Sequence, residues 1–268
     1  AGLLGGLMLM ASESPRWLMK AGKRKETKIA LDKMVDSAAA KLEIQQIEQA
    51  LNEEEGRWSE LFTTGYRRAL LIGVVLAAFG QLSGVNAILY YSSEIFKTAG
   101  ATHDMAFLQT ATIGLINFLF TLIAIACVDR AGRKTPLLIG TLIQAIALFF
   151  AGFLLRNNFT GPLLLLTVLV YIAAYAAAMG PITWLINSEI FPSKLRGRAM
   201  SIAILTLWAA NFLVTQTFPL LNQTLGIAKT FWIYSLLNLL SFFFVLVILP
   251  ETKNRTLEEI EHYWIARK

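Results

Sequence analysis

Residues 69–92 read ALLIGVVLAAFGQLSGVNAILYYS, twenty-four positions without one charged side chain. At 1.5 Å of rise per residue, such a run is long enough to cross the ~30 Å hydrocarbon core of a bilayer as a helix. Its apolar residues do not alternate with polar ones, so it does not read as a strand of a membrane barrel. Within it lie Gln81, Ser83, Asn86 and Tyr90. Hydrocarbon penalises such groups heavily when they have no partner. The run therefore predicts a membrane-spanning helix with polar groups turned toward other helices or a wet cavity.

The pattern repeats along the chain. Five more apolar segments fall at 105–128, 135–155, 162–188, 199–221 and 230–249. Each is of spanning length, and the connections between them are short, so neighbours run antiparallel. Before the first span, residues 11–68 are polar and helix-forming, with Ile44, Ile47 and Leu51 at helical spacing. The apolar stretch 1–10 is too short to span and reads as the end of a truncated transmembrane helix. The fold expected is an all-α membrane protein. It has a six-helix transmembrane bundle over 69–249, preceded by short cytoplasmic helices over 11–68 and followed by a cytoplasmic tail over 250–268.

Charge gives the orientation. All but three of the 24 Lys and Arg residues fall in 11–68, in the loops 129–134 and 194–198, and in the tail. The exceptions are Lys97, Arg156 and Lys229. Basic residues stay on the cytoplasmic side, so the first set of segments is predicted to face the cytoplasm of a plasma membrane or bacterial inner membrane.

Composition excludes several functions. The chain is 56% hydrophobic and 16% charged, with a mean hydropathy of +0.56. A soluble domain carries about a quarter charged residues. The net charge of +6 could suggest nucleic acid, but the basic residues lie in loops between charge-free blocks, so no nucleic-acid face is expected. One cysteine, Cys127, excludes an internal disulfide, and His103 and His262 lie far apart, so neither a metal nor a cofactor is expected.

The span interiors carry no charge; Glu94 and Glu189 lie at or near helix ends. A neutral cargo follows, since no buried carboxylate or base is available for an ion. Asn86 and Tyr90 are four residues apart and share a helix face. Gln81 lies five residues before Asn86, roughly 140° around a regular helix. These groups meet one ligand only if the helix unwinds near Gly84, as broken transporter helices do. Asn117 sits at comparable depth on the next span. In the fourth span, Gly180-Pro181 must interrupt the helix, with Trp184 following within a turn. Isolated amides such as Gln144 and Asn238 read as helix–helix glue. Amides and indoles around a wet cavity suit a neutral polyhydroxylated solute.

The motifs resemble the sugar porter family of the major facilitator superfamily, over nearly the whole chain. Ser12 to Leu18 is similar to the segment after the family's sixth helix, and Gln81 to Tyr91 to its seventh-helix motif. Asp129 to Lys134 resembles the loop between helices eight and nine. Gly180 to Trp184, Ser188 to Pro192 and Leu195 to Gly197 resemble the tenth-helix motifs, and Pro250 to Lys253 the end of the twelfth. The resemblance implies one half of a major facilitator fold, helices seven to twelve, and transport rather than an enzymatic activity. It implies a sugar site from Gln81, Asn86, Tyr90, Asn117 and Trp184, lined by Trp208. Tyr90 and Tyr91 would help to close an outer gate, with Gly84, Gly180 and Pro181 as flexible elements. Glu13, Arg16, Asp129, Arg130, Arg133, Glu189, Arg196, Arg198 and Glu251 would form a cytoplasmic charge network, pairing between the two bundles of a transporter when its inner side is closed.

Three positions depart from the family pattern inside the expected site. Gly80 replaces the first of two glutamines, Leu207 stands where bacterial members often carry a polar residue, and Met179 where one carries tryptophan. The expected function is alternating-access transport of a neutral monosaccharide, hexose or pentose. The partners are the lipid bilayer and an N-terminal six-helix half. A half-size transporter pairing with a second chain and a non-transporting membrane sugar sensor are the competing readings.

Overall fold

The computed structural model describes residues 13–52, 57–63, 66–98, 102–159, 161–192 and 194–253, with Gly2, Gly6 and Gly100. The expected helix end at 1–10 and the tail beyond Lys253 thus lie almost wholly outside the described residues. All regular structure among the described residues is helical. The chain divides into two compact units, Ala1–Gly56 and Arg57–Lys268.

The first unit contains α1 (Pro15–Lys20), α2 (Arg24–Asp32) and α3 (Ser37–Asn52). Ser14 starts α1: its hydroxyl accepts from the Trp17 N–H at 3.2 Å, and Pro15 takes the first helical position, where no N–H is needed. Asp36 caps α3 through a 2.8 Å bond from the Ala39 N–H. The unit closes on a small core of Leu31, Ala40, Ile44 and Ile47, with Met19 against it. This is the apolar stripe expected from the helical spacing of Ile44 and Ile47.

The second unit is the bundle. It begins earlier than the boundary at 69 read from the sequence. A 3-10 turn, Trp58–Phe62, buries Leu61 against Leu70 and Ile72 and so belongs to this unit. Six helical stretches long and apolar enough to cross a membrane follow: Tyr66–Lys97, His103–Ala131, Lys134–Arg156, Pro162–Glu189, Arg196–Leu225 and Ile227–Val247. The first is two helices, α4 (Tyr66–Leu82) and α5 (Val85–Thr98). The second and third are α6 (His103–Ala131) and α7 (Lys134–Arg156). The fourth is again two, α8 (Pro162–Ala177) and α9 (Met179–Glu189); α10 (Arg196–Leu225) and α11 (Ile227–Val247) complete the bundle.

The first half of the first span, α4, lies along α10, and α5 lies along α6. Helix α8 packs between α6 and α7, and α7 makes its longest contact with α11. The buried side chains form two main clusters. One gathers α4 and α9 around Leu76, Ile182, Ile186 and Phe191. The other gathers α5 and α8 around Ile88, Leu148, Tyr171, Phe218 and Phe231. Large apolar side chains such as Phe118, Leu205, Phe212 and Val247 remain more than half exposed. So much outward apolar surface suits a lipid environment and not water.

Both paired spans are broken where the sequence carries a break signal. In the fourth span the interruption falls at Ala178 (φ −130°, ψ −80°), two residues before Gly180-Pro181. Pro181 thereby sits in the first turn of α9, where its missing N–H costs nothing. In the first span the break is at Ser83-Gly84.

Candidate functional site

Gly84 has φ +91°, a left-handed conformation that only glycine adopts cheaply. It also lies face to face with Tyr234: a Cβ at this position would come within 2.7 Å of the tyrosine ring. The turn takes the Ser83 carbonyl out of the helical ladder. That carbonyl is instead bonded twice, by the Tyr171 hydroxyl at 2.9 Å and by Asn238 Nδ2 at 3.0 Å. Tyr171 and Asn238 are wholly buried on α8 and α11. Asn238, read from sequence as helix glue, therefore fixes the break. The buried Gln144, read the same way, has no hydrogen-bond partner for its amide among the described residues.

The break brings together groups that a straight helix would separate. Asn86 Nδ2 donates to Gln81 Oε1 at 2.6 Å and to Asn211 Oδ1 at 3.0 Å. Gln81 and Asn211 are more than nine-tenths buried, while Asn86 is half-buried. Three neutral amides from the first and fifth spans thus form one cluster. Asn211 is the member that sequence reading left out of the site. The available signal was its place three residues after Trp208, on nearly the same helix face.

The other expected site residues are not bonded to this cluster. Trp184 is 44% exposed and borders a small crevice with Ala77, Asn187 and Leu207. Trp208 and Tyr90 are each about 60% exposed. Asn117 is half-buried within α6, and its carbonyl accepts from the Thr121 hydroxyl at 2.7 Å. Of the three departures, Met179 lies in the cluster with Ile182 and Ile186, and Leu207 in a small cluster with Ala77 and Ala203. Gly80 leaves space: a Cβ there would meet only Thr183 Oγ1, at 3.9 Å.

Tyr90 and Tyr91 differ. Tyr91 stacks on Phe218 with centroids 5.0 Å apart, and its hydroxyl donates to the Thr215 carbonyl at 3.2 Å. Pro219, four residues on, has no N–H to give that carbonyl, so the tyrosine supplies the missing donor. Tyr91 anchors the fifth span, whereas Tyr90 is exposed.

At the other end of the bundle, four of the expected charged residues meet. Arg133 makes a two-nitrogen fork to Glu189, with Nη2 2.8 Å and Nε 3.2 Å from Oε1, and reaches Asp129 at 3.4 Å. Glu189 Oε2 also accepts from the Thr252 hydroxyl at 2.6 Å. Glu251 accepts four backbone N–H bonds, from Arg133, Lys134, Thr252 and Lys253, each at 3.0 Å. Partial burial opposes the ionised form of Glu251, but these four bonds outweigh it and hold its pKa below the ordinary carboxylate value. Burial likewise opposes the Arg133 charge, and Glu189, then Asp129 and Glu251, overcome it and raise the pKa. Gly132 (φ +82°) makes room, since a Cβ there would lie 3.0 Å from Glu251 Oε2. These pairs form within the one bundle that the chain supplies. Arg130 contributes its carbonyl, to Lys253 Nζ at 2.6 Å, and Arg198 lies over the Trp58 ring at 5.6 Å. Arg196 opens α10. Glu13 belongs to the first unit and is exposed, and the Arg16 side chain lies outside the described residues.

Residues 1–264 match the family model described as sugar (and other) transporter. The chain is 43% identical over 261 residues to the arabinose-proton symporter of Bacillus subtilis, covering 97% of this chain and 56% of that protein. It is 39% identical over 264 residues to the D-xylose-proton symporter of Escherichia coli, covering 96% and 54%. Among solved structures, the proton:xylose symporter XylE bound to 6-bromo-6-deoxy-D-glucose superposes with a TM-score of 0.78 at 38% identity, covering 96% of this chain and 55% of that one. The chain spans about half the length of the curated relatives it matches, and its bundle corresponds to one half of the major facilitator fold. On the match over nearly its whole length, this integral membrane protein belongs to the sugar (and other) transporter family.

Proposed function

We propose that the chain is the C-terminal half of a sugar transporter that works by alternating access and supplies most of the contacts to the sugar. The observation that carries this reading is the Gln81–Asn86–Asn211 amide cluster beside the Ser83-Gly84 break. Neutral amides can both donate to and accept from hydroxyls, and no charge lies in the span interiors to select an ion. Tyr90, Asn117, Trp184 and Trp208 complete the site as the sugar is bound, the indoles lying against the apolar face of the ring.

The cargo is a neutral pentose or hexose, in keeping with the arabinose and xylose named for the relatives. A second six-helix half rocks against this bundle around the site. Residues 11–68 and the tail face the cytoplasm, where the Asp129–Arg133–Glu189–Glu251 cluster stabilises the inner end of the bundle and rearranges as the inner side opens. The outer half of the first span, pivoting at Gly84 and carrying Tyr90 and Tyr91, closes the outer side. Gly180 and Pro181 allow the matching movement of α9.

The test is uptake of radiolabelled xylose, arabinose and glucose into liposomes containing the complete protein of which this chain is part, with and without a proton gradient. Saturable uptake of one of these sugars supports the reading. Absence of saturable uptake of any hexose or pentose contradicts it.

A further inference from the structure

Helical spacing gathers positive charge in one cleft of the first unit. Arg24 and Lys28 lie one turn apart on α2, and Lys41 and Gln45 one turn apart on α3. Together with Lys25 and Ile44 they line a cleft of about 370 Å³. Ile44 is buried in the small core of the unit and gives the cleft an apolar floor. Among the described residues, no carboxylate lines it. Arg24 is anchored by Glu48, with Nη2 2.9 Å from Oε1, a contact through one of the three guanidinium nitrogens. Glu26 is taken by Lys23 at 3.5 Å. Lys25, Lys28 and Lys41 are exposed and have no ion pair among the described residues.

The needs of the helices do not account for this charge. A solvated helix face gains stability when acids and bases alternate at one-turn spacing, yet Arg24 and Lys28 are like charges at that spacing. Arg24 and Lys25 also open α2, where the helix dipole favours acids over bases. A bound anion accounts for both features. Four cations around one small cleft exceed what a single carboxylate would balance, and they match the two negative charges and several acceptor oxygens of a phosphate.

We infer that this cleft is a binding site for a phosphate-bearing ligand. Arg24, Lys28 and Lys41 take the phosphate oxygens, the Gln45 amide adds a neutral donor, and Ile44 with the lysine stems lies against the less polar part of the ligand. In the orientation proposed above, the cleft faces the cytoplasm. The phosphate there comes from a soluble phosphate ester or from the headgroup of an anionic lipid of the inner leaflet. The site is separate from the sugar site and goes beyond the transport reading.

The experiment is native mass spectrometry of the complete protein in neutral detergent. One arm offers inorganic pyrophosphate and glucose 6-phosphate. The other offers phosphatidylglycerol against phosphatidylethanolamine of the same chain length. Retention of the soluble phosphates identifies a soluble ligand, and selective retention of phosphatidylglycerol identifies a headgroup. In whichever arm binds, Lys28→Gln and Lys41→Gln are each expected to weaken binding about tenfold, and Lys28→Arg to retain it. Lys33→Gln removes the same charge from the end of α2 but outside the cleft, and should weaken binding less than about twofold. Raising the salt from about 0.05 M to about 0.5 M should also weaken binding, because the charges are exposed.

Retention of neither class of ligand overturns the inference. So does an equal loss in Lys28→Gln and Lys33→Gln, because that outcome makes the effect one of overall charge. Neither result bears on sugar uptake, which tests the transport reading by itself.

Discussion

Asn86 and Asn211, 125 residues apart in sequence, are joined by a 3.0 Å hydrogen bond between the first and fifth spans. The bond exists because the first span is broken two residues before Asn86. A continuous helix would turn Gln81 roughly 140° away from Asn86, and the amides could not form one cluster. The glycine that breaks the helix, the two buried side chains that hold the freed Ser83 carbonyl, and the amides beyond it therefore act as one device.

That device makes opposite demands on two glycines one turn apart. Gly84→Ala is expected to destabilise the protein by about 2 kcal/mol or more, from the left-handed backbone and the collision with Tyr234. Gly80→Ala lies within α4 with open space around the new methyl group, and should be neutral or stabilising by up to ~1 kcal/mol. Thermal unfolding of the detergent-solubilised variants separates the two. A lowered melting temperature for both would mean that the site around Gly80 is filled.

The six spans were legible because bilayer thickness imposes a length and a charge rule on each of them independently. The breaks were legible because glycine and proline act locally. Glycine frees the backbone, and proline removes a donor wherever the chain happens to lie. Asn211 and Tyr171 were not assigned, since their partners are determined by how distant helices pack. Neither periodicity nor composition records that Tyr171 reaches Ser83. The charges at the helix ends were legible as a group but not as pairs. A motif names Glu189 and Arg133 without saying that they face each other across 56 residues of sequence. The start of the compact unit at Arg57 was not legible because Trp58, Leu61 and Phe62 make an apolar patch too short for a spanning segment, and burial of Leu61 depends on how it packs.

The two neighbouring tyrosines should respond differently to loss of their hydroxyls. Tyr91→Phe leaves the Thr215 carbonyl with no donor, because Pro219 cannot supply one. The expected cost is about 0.5–1.5 kcal/mol of stability, with the Phe218 stack retained. Tyr90→Phe should leave stability unchanged within ~0.5 kcal/mol, as its side chain is exposed. Equal melting temperatures for Tyr91→Phe and the unsubstituted protein would show that the Thr215 carbonyl is satisfied in another way.

Glu251 gives a pH dependence of known sign. Its carboxylate is favoured in the folded state, so its contribution is complete above the ordinary carboxylate range and fades as pH falls through its lowered folded-state pKa. Glu251→Gln is expected to cost about 1–3 kcal/mol at pH 7. The gap between variant and unsubstituted protein should narrow as pH falls below about 4. Unfolding midpoints measured across pH 3 to 7 check this, and a gap that widens on acidification would contradict it.

Arg133→Lys removes the planar fork that grips Glu189 while keeping the charge. A lysine offers one ammonium group where Glu189 now receives two nitrogens, so a loss of about 1–2 kcal/mol is expected. The same measurement on Arg130→Lys should show almost no change, since Arg130 contributes only its backbone carbonyl to the cluster. Equal losses in the two variants would point to general loop charge in place of the Glu189 pairing.

The central claim is that a neutral sugar is held by the amides at the broken first span. It is tested most directly by the KM for radiolabelled sugar uptake in Asn86→Ala, set against Gln144→Ala, in proteoliposomes of the complete protein. Asn86 lies in the cluster, whereas Gln144 is buried elsewhere in the bundle with no bond to it. Asn86→Ala is expected to raise KM about tenfold or more, and Gln144→Ala less than about threefold. Equal effects of the two substitutions, or an unchanged KM in Asn86→Ala, would contradict the account.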